Sequence, residues 1–298
     1  MTRKSGLMNA TAPLLLVCML LSSVALQARA EQPMPPVQLA SVQQVGATVL
    51  SEDGAYVAFT KIIPADPLKE NERASQELYL YHVGEDRIVK VETEARISQL
   101  AQRPGKGTFS FVMNTEDDDH GTLYELRPDR QRIERVYAHT SGILSYEWHP
   151  SGDMLSVISR EDLNLPENPL PYEPDVYEEY LPNREGYLVE LRRRRSARVQ
   201  PIAVEGSIYE MSWSPDGNRL AISETPTPHI DDYYMFQKVR IIDRETGRVV
   251  ADIDNEGKLG QITWSPDGSK IALRAGNSIH DPIDGRIMVV SADGGTPV

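Results

Sequence analysis

Cysteine is almost absent: the single residue, Cys18, lies inside an apolar run near the N-terminus. Disulfides therefore cannot hold this fold, and a chain of 298 residues has to be stabilised by the core it buries. Basic charge is also scarce. Thirty-one Lys and Arg face 44 Asp and Glu, a formal net charge of −13, which disfavours a nucleic-acid partner or an anionic membrane surface bound through bulk charge. Several chemistries have no carrier. There is no Gly-x-Ser-x-Gly nucleophile elbow, no His-Glu-x-x-His or cysteine-based metal site, and no Gly-rich phosphate loop after a strand. The six histidines are scattered. No catalytic residue, metal ligand or cofactor is assigned from the sequence. Amphipathic helical runs are missing too, which excludes a helical solenoid.

The N-terminus reads as an export signal: Arg3 and Lys4, an apolar run from Ala12 to Leu26 broken only by Ser22 and Ser23, then Ala28-Arg29-Ala30. The run is too short and wrongly flanked for a spanning helix. Residues 1–30 are expected to be removed, leaving a mature chain from Glu31 with no cysteine, a net charge of −16 and a periplasmic or secreted location. Beyond the signal no membrane contact is expected.

What the sequence does contain is a repeat. Trp213-Ser214-Pro215-Asp216-Gly217 returns unchanged as Trp264-Ser265-Pro266-Asp267-Gly268. Each copy is flanked by alternating apolar runs such as Tyr209–Trp213 and Arg219–Ser223, the pattern of a β-hairpin. Proline presets φ at the first turn position, aspartate bonds its own backbone, and glycine supplies the left-handed residue that returns the chain. The tryptophan then ends the first strand facing inward, as a core residue between neighbouring sheets. Weaker copies are Ser51-Glu52-Asp53-Gly54, Arg103-Pro104-Gly105-Lys106 and His149-Pro150-Ser151-Gly152. From Glu52 through Pro104, Pro150 and Pro215 to Pro266 the intervals are 52, 46, 65 and 51 residues. A period near fifty built of short strands is that of a four-stranded propeller blade.

The expected architecture is all-β: residues 31–298 as a partial β-propeller of about five four-stranded blades. The fifth repeat shows Gln261–Trp264, Lys270–Arg274 and Arg286–Ser291 and then stops, so an incomplete, open ring is expected, with self-association through its edges. The long third interval holds a Pro- and Tyr-rich excess, Glu161 to Arg184, and the fourth repeat a second long link, Thr225 to Phe236. Glu116-Asp117-Asp118-Asp119-His120-Gly121 lacks the alternating ligands of a calcium loop and reads as a solvated acidic turn. Arg192 to Arg195 read as a solvated hairpin tip.

An exported start followed by such blades resembles the N-terminal propeller of prolyl oligopeptidase family serine peptidases, in particular the bacterial exported dipeptidyl and acylaminoacyl peptidase branch. The resemblance covers about Val37 to Val298 and rests on Val49-Leu50-Ser51-Glu52-Asp53-Gly54-Ala55-Tyr56-Val57-Ala58-Phe59, on Arg184-Glu185-Gly186-Tyr187-Leu188 and on Arg286 to Gly295. It implies a substrate-gating propeller without catalytic residues of its own. Its partners would be short peptides and a C-terminal α/β-hydrolase domain that carries the Ser-Asp-His triad. The turn motif is shared with the propeller of the periplasmic Tol-system protein, so a non-catalytic binding or scaffold propeller is the alternative. The resemblance also draws attention to Glu178 and Glu179, because family members hold a substrate amine with paired glutamates. Here about thirty residues separate the pair from the next Trp-Ser-Pro-Asp-Gly, a departure that favours an ordinary acidic loop.

Overall fold

The structure is a computed structural model that describes residues 34–66, 68, 69, 72–118, 120–163, 178, 180–192, 196–281, 283 and 285–298. Residues Met1–Val42 and Pro64–Arg73 form one unit, and Gln43–Ile63 with Ala74–Val298 the other. In the first, the Pro-rich lead holds a five-residue helix, α1 (Pro36–Ala40), started by a proline in its first turn, where no N–H is needed. The expected signal, residues 1–30, lies outside the described residues.

The second unit is five antiparallel sheets, each a meander in sequence order. The first holds β1 (Gln44–Leu50), β2 (Tyr56–Ile63), β3 (Ser75–His82) and β4 (Arg87–Val91). The second holds β5 (Ile97–Arg103), β6 (Thr108–Met113), β7 (Thr122–Arg127) and β8 (Arg132–Tyr137). The third holds β9 (Ser145–Trp148), β10 (Met154–Arg160), β11 (Arg184–Leu191) and β12 (Ala197–Pro201). The fourth holds β13 (Ser207–Trp213), β14 (Arg219–Thr225), β15 (Lys238–Asp243) and β16 (Val249–Ile253). The fifth has β17 (Leu259–Trp264), β18 (Lys270–Ala275) and β19 (Arg286–Ser291). Here the sequence reading is refined. Val298 exchanges both backbone hydrogen bonds with Val289, at 2.8 and 3.0 Å, so the first pair of a fourth-strand position is present.

First strands of successive sheets touch: β1 with β5, β5 with β9, β9 with β13 and β13 with β17. Four apolar clusters fill the seams. Leu78 and Leu80 meet Phe109 and Phe111 in the first, and Val112 and Leu123 meet Trp148 and Leu155 in the second. Ile158 and Leu188 meet Trp213 and Leu220 in the third, and Val239 and Ile241 meet Trp264 and Leu273 in the fourth.

The repeated turn is closed by its own side chains. Ser214 Oγ donates to Asp216 Oδ1 (2.6 Å) and accepts from Arg219 N (2.9 Å), while Asn218 N donates to Asp216 (3.1 Å). Ser265 with Asp267, and Ser51 with Asp53, repeat the arrangement. The serine hydroxyl and then the backbone N–H groups hold the carboxyls of Asp216 and Asp267 down to about 2.

Each tryptophan is locked from the preceding sheet. Trp148 Nε1 donates to Ser110 Oγ (2.7 Å), Trp213 Nε1 to Glu147 O (3.3 Å) and Trp264 Nε1 to Ser212 O (2.9 Å). A cation of that preceding sheet lies on the ring and bonds the turn glycine beside it. Arg103 sits 4.5 Å from the Trp148 ring and donates to Gly152 O, and Arg219 sits 5.5 Å from the Trp264 ring and donates to Gly268 O. In the third seam a histidine does this. His149 meets Trp213 edge to face at 4.9 Å, and its Nε2 lies 2.9 Å from Gly217 O. A carbonyl only accepts, so Nε2 carries the proton and Nδ1 accepts from Ser151 N.

A second inter-sheet device uses bulges. Gln99 Oε1 on β5 accepts from Tyr146 N (3.1 Å), and Glu210 Oε1 on β13 accepts from Ile262 N (3.2 Å). Both acceptors stand five residues before their turn prolines, Pro104 and Pro215. A neutral amide thus makes at one seam the bond a carboxylate makes at another. Burial pushes the Glu210 carboxyl above its ordinary range, so its stabilising share is present at acidic pH and declines as pH rises. Glu210→Gln keeps the bond and removes the charge. Stability at pH 4.5 should stay within about 0.5 kcal/mol of wild type, while the loss of stability on raising the pH should shrink. Urea unfolding at several pH values checks this.

Candidate functional site

An antiparallel meander places its first-to-second and third-to-fourth turns at one end of the strands. The second-to-third links and the sheet-to-sheet connections lie at the other. The short interlocked turns occupy the first face. The described residues of the long links 114–121, 161–183, 226–237 and 276–285 occupy the second, and loops held by a rigid scaffold are where binding groups are best placed.

Between the second and third sheets on the link face lies a polar cleft of about 530 Å³, lined by His120, Thr140, Ser141, Arg160, Glu161 and Asp162 among others. Glu161 is committed to its own link, accepting from Asn183 N (3.1 Å) and Nδ2 (2.9 Å). Arg160, Asp162 and the His120 ring have no ion-pair partner among the described residues, so the cleft offers both signs of charge to a ligand. In the neighbouring acidic turn Glu116, Asp117 and His120 are exposed as expected, and one described residue departs. Asp118 is buried, accepts from Tyr124 OH (2.6 Å) and pairs with Arg135 (3.0 Å). Ser159 Oγ lies 2.9 Å from His139 Nδ1, but the serine is fully buried and donates to Gly142 O, so it presents no oxygen to a substrate.

Over the third and fourth sheets the link face carries a helix that periodicity had not suggested, α2 (Ile230–Met235). Asp231 and Asp232 in its first turn were the available signal. Asp232 accepts from Thr227 N (3.0 Å) and Oγ1 (2.6 Å). Of the glutamate pair, Glu178 has a left-handed φ of 55° and its Oε1 accepts from Ile230 N (3.2 Å), the first residue of α2. Glu179 lies outside the described residues, as do 193–195 of the arginine run. The helix sets Tyr233 against Tyr209 (4.6 Å) and Tyr234 (5.3 Å), and Arg184 and Lys258 cover the ends of this array over Tyr209 and Tyr234. Ile230, Tyr234 and Phe236 are exposed beside it. The turn residues Trp213, Pro215, Asp216, Gly217, Trp264, Pro266, Asp267 and Gly268 sit at the opposite face.

No family model matches the chain, and no curated sequence matches it. Comparison of folds does find relatives. Dipeptidyl peptidase 4 of Porphyromonas gingivalis superposes with a TM-score of 0.58 at 11% identity, over 87% of this chain and 39% of its own. Acylaminoacyl peptidase of Pyrococcus horikoshii gives 0.57 at 11% identity, over 86% and 39%. The chain is a β-propeller. It spans 39% of the length of these two peptidases. An oligogalacturonate lyase in complex with manganese gives 0.54 at 13% identity, over 83% of this chain and 64% of its own. One propeller fold thus carries unrelated chemistries, so function has to be argued from the site.

Proposed function

We propose that this propeller serves an exported serine peptidase, controlling which short peptides reach an α/β-hydrolase domain and contributing link-face groups to their cavity. The observation that carries the reading is the asymmetry of the two faces. One carries short interlocked turns, with a cleft of about 450 Å³ beside His149, Ser151 and Arg244, whereas the other gathers the longer links, the polar cleft, α2 and the tyrosine array. On this reading the propeller supplies access and contacts while the partner domain supplies the nucleophile, base and oxyanion hole.

Treating the native cells with a fluorophosphonate and mapping the labelled proteins by tryptic mass spectrometry tests it. Peptides of this chain in one labelled protein of roughly 600 residues, the sum expected for propeller plus hydrolase domain, support the proposal. Their recovery only from unlabelled protein assigns the chain to the binding or scaffold alternative. The same material reports on export. An N-terminus at Glu31 is expected, and a retained Met1 in the membrane fraction would refute cleavage.

Self-association of the isolated chain belongs to the same proposal. Val45 and Leu50 on β1 and Ile287 on β19 are exposed, and apolar edge strands pair with other chains. Light scattering after size exclusion should show mass rising with concentration. A monomer throughout would remove the edge argument.

A further inference from the structure

The seam between the third and fourth sheets contains a carboxyl group with no opposite charge paired to it among the described residues. Glu147 on β9 is mostly buried, its carbonyl accepts from Trp213 Nε1, and its Oε2 is buried without a hydrogen-bond partner. The acid that faces it from β13 is Glu210, a like charge. Arg274 acts on Glu210 from β18, but Glu210 spends one oxygen on Ile262 N. Two residues along, the seam is held by His149, which is met by Arg244 and Asp216 from the fourth sheet. An ionised carboxylate with one oxygen buried and undonated is costly to leave in a closed interface, whereas the protonated acid is only a neutral polar group.

We propose that the seam between the third and fourth sheets is a proton-held latch, closing fully only while Glu147 carries a proton. Burial, opposed by the Trp213 backbone N–H and reinforced by the like charge of Glu210, raises this carboxyl from its ordinary 4.5 to about 7. A group whose closed-state pKa is raised contributes its full share below 4.5 and loses it as pH climbs through about 7. The opening equilibrium of the seam should therefore rise on the order of 100-fold across that range. His149 works in the opposite sense. Its Nδ1 accepts from Ser151 N only when the ring is neutral, and burial, opposed by the Gly217 O bond that the cation would keep, holds its pKa below the ordinary 6.5. It therefore favours closure above its ordinary value and penalises it in acid, which flattens part of the Glu147 response without reversing it. The consequence reaches the link face, because β10 and β14 on either side of this seam run directly into the links 161–183 and 226–237. The inference stands on the propeller alone and does not need the peptidase reading.

Hydrogen exchange read by mass spectrometry between pH 4.5 and 8, corrected for intrinsic exchange, tests it. Peptides covering β9 and β13 should show the opening population rising on the order of 100-fold with pH. Peptides from the seam between the first and second sheets should not. Glu147→Gln should flatten the response. An unchanged slope in that variant, or an equal slope in the first seam, would overturn the latch. Should the variant fail to fold, a carboxyl-carbon NMR titration of Glu147 in the wild-type chain decides the matter. A midpoint near 7 supports the latch, and one near 4.5 refutes it.

Discussion

Trp264→Ala will lower the unfolding free energy by roughly 3–5 kcal/mol, the range for removing a large aromatic from a packed interior. Three losses combine. The ring fills the seam between the fourth and fifth sheets beside Ile271, Leu273 and Ala221. The bond from its Nε1 to Ser212 O is lost, and Arg219 loses the face on which its guanidinium rests. Arg219 keeps its bonds to Gly268 O and to Ala292 O, so the turn itself should persist and the damage should stay within the seam. Trp264→Phe separates the contributions. It restores most of the ring and not the N–H, and should cost about 1 kcal/mol, the net worth of one hydrogen bond. Urea unfolding of both variants reads the difference. An unchanged midpoint for Trp264→Ala would mean that the repeat does not place its tryptophans in seams.

The turns were legible in the sequence because they are local. Serine, proline, aspartate and glycine within five residues determine their own hydrogen bonds, and alignment on the proline fixed where each first strand ends. The seams were not legible, because they join residues 49 to 68 apart through side chains that share neither one position nor one residue type. Arg103 precedes its turn proline by one residue, and Arg219 follows Pro215 by four, yet both reach the tryptophan and the turn glycine of the next sheet. His149 does the same from the residue before Pro150, the position of Arg103 but with a different side chain. The candidate site was the least legible part. Its links have no period, and Asp118, one of three consecutive aspartates, turns inward only because Tyr124 and Arg135 on neighbouring strands offer it donors. Glu178 likewise stands out in the sequence beside Glu179, and only the tertiary fold gives its oxygen to the head of α2.

Gly217→Ala will destabilise the chain by about 3 kcal/mol, of which the left-handed backbone explains only the 1–2 kcal/mol that such a conformation costs a residue with a Cβ. The residue has a φ of 71°, and a Cβ there would lie 2.0 Å from His149 Nε2. The imidazole has to leave, giving up its bond to Gly217 O and its edge contact with Trp213. Two other turn glycines serve as internal controls with the same φ. Gly54 has nothing within 4 Å of a Cβ, and Gly268 has only Pro215 Cδ at 3.6 Å. Alanine at either should cost the backbone share alone, about 1–2 kcal/mol. In a His149→Ala background the clash partner is gone, and Gly217→Ala should fall to that same share. The double-mutant cycle would then report an interaction of about 1–2 kcal/mol between two residues 68 apart in sequence. Equal costs at Gly54, Gly217 and Gly268, or strict additivity in the cycle, would show that the His149 bridge does not hold the third and fourth sheets together.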